Sequence, residues 1–540
     1  MARSRHNASS WTLCCLAVLF PLVSACGETA PEPPVEQLVS MLSPDTPVLV
    51  TGGKIQGVIS EAHPEIIAFK GLPFAAPPVG DLRWRPPAAV AGWDGVRDAS
   101  TSGPACPQRN RAGQTEDCLF LNVFAPTNTA EPLPVMVWIH GGGFRGGSGG
   151  GTNGAPLATN GTVVVAINYR LGVFGFLAHP ALSAESEHGA SGNQGLLDMV
   201  AALEWVRDNI ASFNGDPDRV TIFGESAGGG AVMALMLVPQ AEGLFHGGIA
   251  ESTYVHGWDR PLDIPARGWE PAEATTGLVL AEALGASGDD VLATMRAATT
   301  DAVVAVADEG PLFRWAGTLW APNVDGWVIP DDPLEMYADG RQHDVPLIAG
   351  MNANEGSLFR SRFDMEDVAG FESYVRADFE VVANEAIAFY DVASLDAVAA
   401  GLDHLVHDMF FAGPVRVQVR AHAQARSPAW LYQFAQVPPT EMAANFGAYH
   451  SAEIQYVFGT LDERTPWTDA DRLVSDVMMS YWVQFATTGD PNGGGLPNWP
   501  AFDRSTDEHN TFADPVETGT ALHREGAALF DLFEARRREQ

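Results

Sequence analysis

The chain has 540 residues, of which 46% are hydrophobic and 18% are charged, so it is long and apolar enough to bury a large core. Its formal net charge is −36. Because phosphate binding requires clustered cations, this charge excludes nucleic acid as an expected partner. Such acidity is typical of a solvated surface on an exported protein; the alternative is an electrostatic field that attracts cationic substrates or repels anionic products.

The first predicted element is a signal peptide over residues 1–25. Two arginines within the first five residues precede the apolar run 11–23, which is short for a membrane span. Small residues before Cys26 are similar to a bacterial lipobox. This pattern favours lipidation of Cys26, a Pro/Glu-rich tether over residues 26–44 and anchoring in the bacterial cell envelope. The alternatives are cleavage after Ala25 with release as a secreted or periplasmic protein, and a retained anchor helix.

Cysteine usage agrees with export. Of the five cysteines, Cys14 and Cys15 lie in the predicted signal peptide and Cys26 would carry lipid, which leaves Cys106 and Cys118 for the folded body. The sequence contains neither a C-x-x-C nor an H-E-x-x-H motif, so no metal site is predicted.

A buried strand followed by a glycine-rich loop is predicted next, at residues 134–143. The strand reads PVMVWI and the loop reads HGGG, the type of loop that supplies backbone N–H groups to an oxyanion hole. Gly141, Gly143 and Gly146 also fit the dinucleotide fingerprint. That fingerprint needs an acidic residue about 20 positions later, and none occurs before Glu185. A nicotinamide-dependent oxidoreductase is therefore not predicted.

The run TIFGESAGG at residues 221–229 places Ser226 in a G-x-S-x-G nucleophile elbow. Gly224 and Gly228 carry no Cβ that would collide in the tight turn, so Ser226 can adopt a strained conformation. A helix predicted over residues 227–238 would direct its N-terminus at a developing oxyanion. The alternative is a flexible Gly/Ser loop, but the strand before Ser226 and the helix after it favour a nucleophile.

A serine nucleophile requires an acid and a base, in the chain order Ser, acid, His. Glu355 is the candidate acid, because it follows a short predicted strand at residues 345–350. His450 is the candidate base, in a glycine-containing loop before an apolar helical stretch. On pattern alone any of the 14 histidines could be a surface residue, and chain order and loop context favour His450. Because these residues must meet, residues 45–540 are predicted to form one domain.

Together these motifs resemble the type-B carboxylesterases, the cholinesterase-like branch of the α/β-hydrolase superfamily. Further similar segments occur in the family's order, at residues 71–80, 83–84, 116–122, 168–177, 192–198 and 214–217. The resemblance implies an α/β fold, with a large, mostly parallel central sheet flanked by helices. Two mainly helical segments, at 258–345 and 360–426, are expected to form cap-like insertions over an active-site gorge.

The resemblance also implies the catalytic residues: Ser226 is the nucleophile, Glu355 the acid and His450 the base. The implied oxyanion-hole amides are those of three residues, Gly142, Gly143 and Ala227. Glu225 and Ser252 would belong to a polar network behind the triad, or would be ordinary hydrogen-bonded polar residues. Two family ion pairs, expected to be structural, are Arg83 with Glu116 and Arg170 with Asp198.

The resemblance further implies a disulfide between Cys106 and Cys118. Cholinesterases bind the ammonium group of choline by cation–π contact with a tryptophan in a longer disulfide loop. The loop here is short and lacks tryptophan, and Leu358 replaces another aromatic of that site. Choline recognition is therefore not expected.

The predicted function is hydrolysis of small-molecule carboxylic esters through an acyl-enzyme intermediate, without a cofactor. The same triad could instead attack an amide, a carbamate or a lactone. A non-enzymatic, cholinesterase-like binding protein is a further alternative, against which the presence of all three triad residues argues. Membrane contact is expected only through a lipid on Cys26, and the oligomeric state is not predicted.

Overall fold

The computed structural model describes residues 41–109, 111–254, 257–307, 320–363, 365 and 367–540. The predicted signal peptide, the lipidation site Cys26 and most of the predicted tether lie outside these residues. Leu42, near the end of the predicted tether, is buried, and its amide donates a hydrogen bond to the carbonyl of Thr127 at 2.9 Å. The described residues all belong to one compact unit.

The strands are short and, in the centre of the fold, almost continuously apolar, as expected where a sheet is covered on both faces. Numbered in chain order they are β1 (Val48–Val50), β2 (Gly53–Gln56), β3 (Val58–Ile59), β4 (Ile66–Pro73), β5 (Val96–Asp98), β6 (Phe120–Pro126), β7 (Leu133–Ile139), β8 (Val163–Ile167), β9 (Gly215–Glu225), β10 (Gly247–Glu251), β11 (Leu347–Asn352), β12 (Ala429–Phe434), β13 (Glu508–Phe512) and β14 (Glu517–Thr520).

These strands form a central sheet of eleven strands and a small sheet of three strands. The central order is β14-β13-β12-β11-β10-β9-β7-β8-β6-β4-β3, and the small sheet has the order β1-β2-β5. All pairs from β13 to β8 along the central sheet are parallel, whereas the pairs at its two ends are antiparallel. The predicted α/β-hydrolase sheet is therefore present.

Helices cover both faces of the central sheet and extend beyond it. They are α1 (Ala155–Ala158), α2 (Gly172–Gly175), α3 (Pro180–Glu185), α4 (Gln194–Asn209), α5 (Ala227–Leu235), α6 (Leu278–Ala283), α7 (Val291–Ala297), α8 (Thr300–Ala307), α9 (Pro333–Ala338), α10 (Val368–Asp378), α11 (Ala383–Tyr390), α12 (Leu395–His407), α13 (Gly413–His422), α14 (Glu441–Phe446), α15 (Ile454–Val457), α16 (Asp469–Thr488) and α17 (Arg524–Arg537). Within the described ranges, no helix combines the length and the apolar character that crossing a bilayer requires.

Two hydrophobic layers sandwich the central sheet. Along β7, alternate side chains point to opposite faces, so Val135 and Val137 pack in one cluster with α4 and α5, while Met136 and Trp138 pack in another with α16. The sheet is thereby buried on both sides, which explains why its central strands carry few polar residues.

The segment predicted as the second helical insertion divides into two parts. Helices α10, α11 and α12 pack together with Phe359 and Tyr254 in a separate hydrophobic cluster. Helix α13 differs, because Val415 and Val419 pack in the same core cluster as Leu347 of β11. The prediction that the whole of 360–426 forms an insertion was wrong at its end, because helical periodicity does not reveal which surface a helix covers.

The parallel strands β9, β10, β11 and β12 end at one edge of the sheet, and the predicted site residues follow these ends. Ser226 comes directly after β9 and Ser252 directly after β10. Glu355 lies shortly after β11, and His450 lies in the connection between α14 and α15 that follows β12. This edge is where α/β folds usually bind ligands.

Candidate active site

Ser226 occupies the sharp turn between β9 and α5. Its φ and ψ angles are 59° and −121°, a conformation that a non-glycine residue adopts only when its surroundings impose it. Its amide donates to the carbonyl of Glu251 at 2.9 Å, and its carbonyl accepts from the amides of Gly230 and Tyr254 at 2.9 and 3.0 Å. These three backbone bonds hold the nucleophile elbow that the sequence predicts.

Two glycines of the elbow are required by close backbone contacts. A Cβ on Gly224 would lie 2.5 Å from the carbonyl oxygen of Ile139, and one on Gly228 would lie 2.0 Å from the same atom. Real Cβ atoms do not approach a carbonyl oxygen so closely, so only glycine allows β7 and the elbow to pack at this distance.

The glycine-rich loop after β7 lies against the elbow. A Cβ on Gly141 would come within 2.6 Å of the Glu225 carbonyl oxygen and 3.0 Å of the Ser226 Cβ. Gly142 and Gly143 have φ angles of 108° and 62°, which favour glycine. Among the described residues, none accepts a hydrogen bond from the amides of Gly142, Gly143 or Ala227. These amides can therefore donate to a bound oxyanion.

Neighbouring side chains stiffen the glycine-rich loop. The ring of His140 stacks on Tyr169 with centroids 4.5 Å apart, and the Tyr169 hydroxyl donates to the His140 carbonyl at 2.9 Å. Burial lowers the pKa of His140 to about 4. This imidazole is therefore neutral at pH 7 and supports the loop without adding a charge.

The predicted disulfide between Cys106 and Cys118 is present, and both residues are buried. Gln108, in the loop that it closes, donates to the carbonyl of Gly147 at 2.8 Å and accepts from the amide of Gly147 at 3.0 Å. The disulfide loop thus holds the far side of the glycine-rich loop in place.

Glu355 and His450 form a short hydrogen bond. His450 Nδ1 lies 2.6 Å from Glu355 Oε2, and the other carboxylate oxygen, Oε1, accepts from the amide of Asn352 at 2.6 Å. Glu355 is fully buried. Because an ionised carboxylate can only accept, Nδ1 carries the proton and Nε2 remains the nitrogen that can take a proton from another group.

Two loops are joined to bring these residues together. The amide of Asn354 donates to the carbonyl of Ala448 at 3.0 Å, and the amide of Ala448 donates to Asn354 Oδ1 at 3.0 Å. Gly447, with φ 69°, leaves room for the Asn354 side chain, because a Cβ there would lie 2.2 Å from Oδ1. The loop after β11 therefore fixes the loop that carries His450.

The second ring nitrogen of His450 is directed at Glu225. Its Nε2 lies 3.1 Å from Glu225 Oε1, and no hydrogen bond joins the ring to Ser226 Oγ in the described structure. Catalytic hydrogen bonds in ligand-free enzymes are often long and tighten when substrate binds. The structure brings the three predicted triad residues to one site, with the base turned toward the residue beside the nucleophile.

Two further glutamates, which the sequence did not identify, lie behind the triad. Glu251 ends β10 and accepts from the Trp482 indole N–H at 2.8 Å. Glu453 accepts from Ser252 Oγ at 3.2 Å and also contacts the Asn352 side-chain amide. Both glutamates have no exposed surface. The predicted polar network around Ser252 is thus present. Glu251 could have been identified from the sequence, because a glutamate is unusual in a wholly buried strand.

Burial and mutual repulsion raise the pKa values of these carboxyl groups. Desolvation raises the pKa of Glu251 to about 8 and that of Glu453 well above its usual range. Desolvation also raises the pKa of Glu225, and the Glu355 carboxylate adds to the effect. Burial alone would lower the pKa of His450, but the carboxylates of Glu225 and Glu355 outweigh it and raise that pKa. Glu251, with its pKa near 8, is therefore protonated at pH 7.

Aromatic rings cover the imidazole on the side of the helical cap. The rings of Phe411 and Phe359 lie 4.7 and 5.2 Å from the ring of His450, and Phe359 stacks on Phe411 at 6.0 Å. Ser226 is 8% exposed and His450 6% exposed. Both side chains are therefore in a largely dry environment, where charge–dipole interactions are stronger than in water.

The two predicted structural ion pairs are also present. Arg83 and Glu116 form a bidentate pair at 2.6 and 2.7 Å, and Arg170 and Asp198 form another at 2.7 and 2.8 Å. All four side chains are buried, and neither pair contacts the triad. Their role is to hold loops, as the resemblance implied.

Comparison with known proteins gives consistent matches over most of the chain. A family model described as the carboxylesterase family matches residues 44–528. The fumonisin B1 esterase of Sphingopyxis macrogoltabida is 37% identical over 499 residues, which cover 88% of this chain and 89% of that enzyme. The para-nitrobenzyl esterase of Bacillus subtilis strain 168 is 34% identical over 484 residues, covering 84% and 92% of the two chains.

A solved structure is also similar. The structure of a PNB esterase superposes with a TM-score of 0.77 at 33% sequence identity, covering 90% of this chain and 99% of that one. The helical and sheet layers are thus shared along nearly the whole body.

Proposed function

The chain belongs to the carboxylesterase family and is a carboxylic ester hydrolase, and we propose that Ser226, His450 and Glu355 are its catalytic triad. The observation that carries this assignment is the 2.6 Å contact between His450 and Glu355, at the strand edge where the strained Ser226 also lies. The substrates are small-molecule esters.

In the first half of the reaction, His450 Nε2 takes the proton from Ser226 as the hydroxyl attacks the ester carbonyl. The carbonyl oxygen becomes an oxyanion and accepts hydrogen bonds from the amides of Gly142, Gly143 and Ala227. His450 then returns its proton to the departing alkoxide, and the acyl group remains on Ser226.

In the second half, His450 activates a water molecule that hydrolyses the acyl-enzyme. Glu355 holds the proton on Nδ1 throughout and stabilises the imidazolium, without becoming protonated itself. Glu225 stands 3.1 Å from Nε2 and also favours the imidazolium. Both carboxylates therefore stabilise the charge that develops on His450 in each transition state.

The assignment is tested by hydrolysis of p-nitrophenyl esters, from acetate to long-chain acyl groups, with purified mature protein. Ser226→Ala should lower kcat/KM by roughly 10⁴-fold or more. Ser212→Ala, at an exposed serine outside the site, is the matched control and should hydrolyse the esters like wild type. If folded Ser226→Ala retains the wild-type rate, the proposed nucleophile is wrong.

A p-nitroanilide with the same acyl group as the best ester tests the bond that is cleaved. The two substrates share the acyl group and the p-nitrophenyl ring, and they differ only in the leaving atom, oxygen or nitrogen. We expect the ester to be the faster substrate. A faster anilide would identify an amidase that uses the same triad.

We also propose that the enzyme is exported and anchored through a lipid on Cys26. The buried Cys106–Cys118 disulfide supports export, because disulfides persist in oxidising compartments. In a bacterial host, wild type should fractionate with membranes and be released by detergent, while Cys26→Ala should not incorporate labelled fatty acid. A wild-type protein found only in the soluble secreted fraction would instead support cleavage after Ala25.

A further inference from the structure

A second cluster of histidine and carboxylate side chains lies apart from the triad. It consists of His407, Asp408 and His523, and one ligating atom from each lies within 4.8 Å of the others. His523 Nδ1 is 3.9 Å from Asp408 Oδ1, and the rings of His407 and His523 have centroids 4.1 Å apart. In the part of the chain that the structure describes, this is the one cluster with the composition of a metal site.

The cluster borders a cavity of about 720 Å³. His404 and Asp403 also line this cavity, and so do Asn354 and Gly356, which flank the triad residue Glu355. Space for water or another small ligand therefore lies beside the three side chains, next to the loop that positions the catalytic acid.

Within the described part of the chain, the buried ring of His407 lacks the hydrogen bonds that a buried polar side chain normally makes. Its residue surface is 4% exposed, and neither Nδ1 nor Nε2 has a hydrogen-bond partner among the described residues. Leaving a buried polar atom without a partner costs on the order of 1–3 kcal/mol. Coordination of a metal ion by one of these nitrogens would satisfy it.

The backbone around the cluster is shaped to hold it. His407 is the last residue of α12, and a π-helical turn, Asp408–Ala412, begins directly after it. This irregularity of the helix places His407 and Asp408 side by side. Such π-helical turns often occur at functional sites. A Cβ on Gly526 would lie 2.2 Å from Asp408 Cγ, so glycine leaves room for that carboxylate. His523 adopts the left-handed conformation, with φ 45°.

We propose that His407, Asp408 and His523 bind a divalent transition-metal ion, with Zn²⁺ as the best match. Two imidazoles and one carboxylate suit Zn²⁺, Co²⁺ or Ni²⁺ better than Mg²⁺ or Ca²⁺, which prefer oxygen ligands. Zinc–nitrogen bonds of about 2.0–2.1 Å place tetrahedral donors roughly 3.3 Å apart. The 3.9 Å between His523 Nδ1 and Asp408 Oδ1 therefore has to shorten by about 0.6 Å. The widest separation in the cluster, at most 4.8 Å, has to shorten by up to about 1.5 Å.

Gln433 can hold the ring of His523 in the orientation that metal binding needs. Its side-chain amide lies 3.0 Å from His523 Nε2. With the amide turned so that its oxygen faces the ring, Nε2–H donates to Gln433 and Nδ1 is free to bind the metal. The remaining coordination position faces the cavity and is filled by water, as in zinc sites that keep one position open.

The test uses the full-length mature protein, stripped of metal with a chelator and titrated with Zn²⁺ against a chromophoric competitor. Wild type should bind one Zn²⁺ per chain. Asp408→Asn and His523→Gln each remove a proposed ligand and should weaken binding by at least about 10- to 100-fold, the usual loss when only an outer-shell partner of a ligand is changed. His188→Gln, at a histidine that stacks on Trp327 outside the cluster, is the matched control and should bind like wild type.

A second measurement keeps the proposal falsifiable if the variants do not fold. X-ray absorption of zinc-loaded wild type should show two imidazoles in the first coordination shell. Absence of Zn²⁺ binding, equal binding by wild type and both cluster variants, or a shell without imidazole would overturn the proposal. None of these outcomes depends on esterase activity, so the result is independent of the triad assignment.

Discussion

Two buried histidines, His450 and His407, lie near the loop around Glu355 but have opposite surroundings. His450 has carboxylates at both ring nitrogens, at 2.6 Å from Glu355 and 3.1 Å from Glu225. His407 has no hydrogen-bond partner at either nitrogen within the described structure. An imidazole held by carboxylates is prepared to gain and lose a proton, whereas one without such partners is available to bind a metal. The environment, and not the residue type, assigns the role.

The largest expected effect comes from removing the carboxylate that orients His450. Glu355→Gln should lower kcat/KM for a p-nitrophenyl ester by about 10³- to 10⁴-fold, because an amide no longer stabilises the imidazolium or fixes the proton on Nδ1. Steady-state kinetics on the folded variant measures this loss.

Glu355→Asp is the matched control, because it keeps the charge and shortens the side chain. Its kcat/KM should be about 10²-fold below wild type, as expected for a misplacement near 1 Å. This loss is smaller than that of Glu355→Gln. If Glu355→Gln were as active as wild type, His450 would not need the carboxylate. The difference in surroundings between His450 and His407 would then not explain their different roles.

The next effect concerns protein stability and the buried Glu251. Its pKa, raised by burial to about 8 from 4.5, means that the folded state keeps a proton that the unfolded state releases. The contribution of Glu251 to the free energy of unfolding is complete below pH 4.5 and is lost as the pH rises through about 8. Between these values the free energy falls by up to about 1.4 kcal/mol per pH unit. Glu251→Gln keeps an acceptor for Trp482 and cannot ionise.

Urea unfolding of wild type and Glu251→Gln between pH 5.5 and 7.5 checks this expectation, with the exposed Glu517→Gln as the control. The free energy of unfolding of wild type should fall relative to that of Glu251→Gln as the pH rises. A difference that stays constant over this range would show that Glu251 is ionised in the folded protein.

A smaller effect is expected at Glu225, which contacts His450 without orienting it through Nδ1. Removing its charge with Glu225→Gln takes away one of the carboxylates that raise the pKa of His450. The acidic limb of the kcat/KM profile should therefore move to lower pH by about one unit. Profiles of wild type and variant on one ester measure the shift, and a limb that moves to higher pH contradicts it.

Local features of the site could be predicted from the sequence. The elbow around Ser226 and the glycine-rich loop occupy a few consecutive residues, and their steric needs are visible in the glycine spacing. The strand predicted at 345–350 is Leu347–Asn352 in the structure, so Glu355 follows a strand end as expected. The presence of the central strands follows equally from short buried apolar runs.

What could not be predicted depends on contacts between distant parts of the chain. Glu251 and Glu453 lie behind the triad only because β10 and the His450 loop end at one sheet edge. His407 and His523 meet because α12 and α17 enclose one cavity. Pattern and periodicity locate elements, but they do not show which surfaces come together, and the misassigned α13 has the same cause.

The most direct test of the triad is to trap the acyl-enzyme and locate the acyl group. Wild type mixed with a p-nitrophenyl ester and quenched in acid during the burst should gain the mass of one acyl group, and peptide mapping should place it on Ser226. His450→Ala should not accumulate this species within the burst time. An acyl group on another residue, or turnover without any covalent species, would contradict the proposed mechanism.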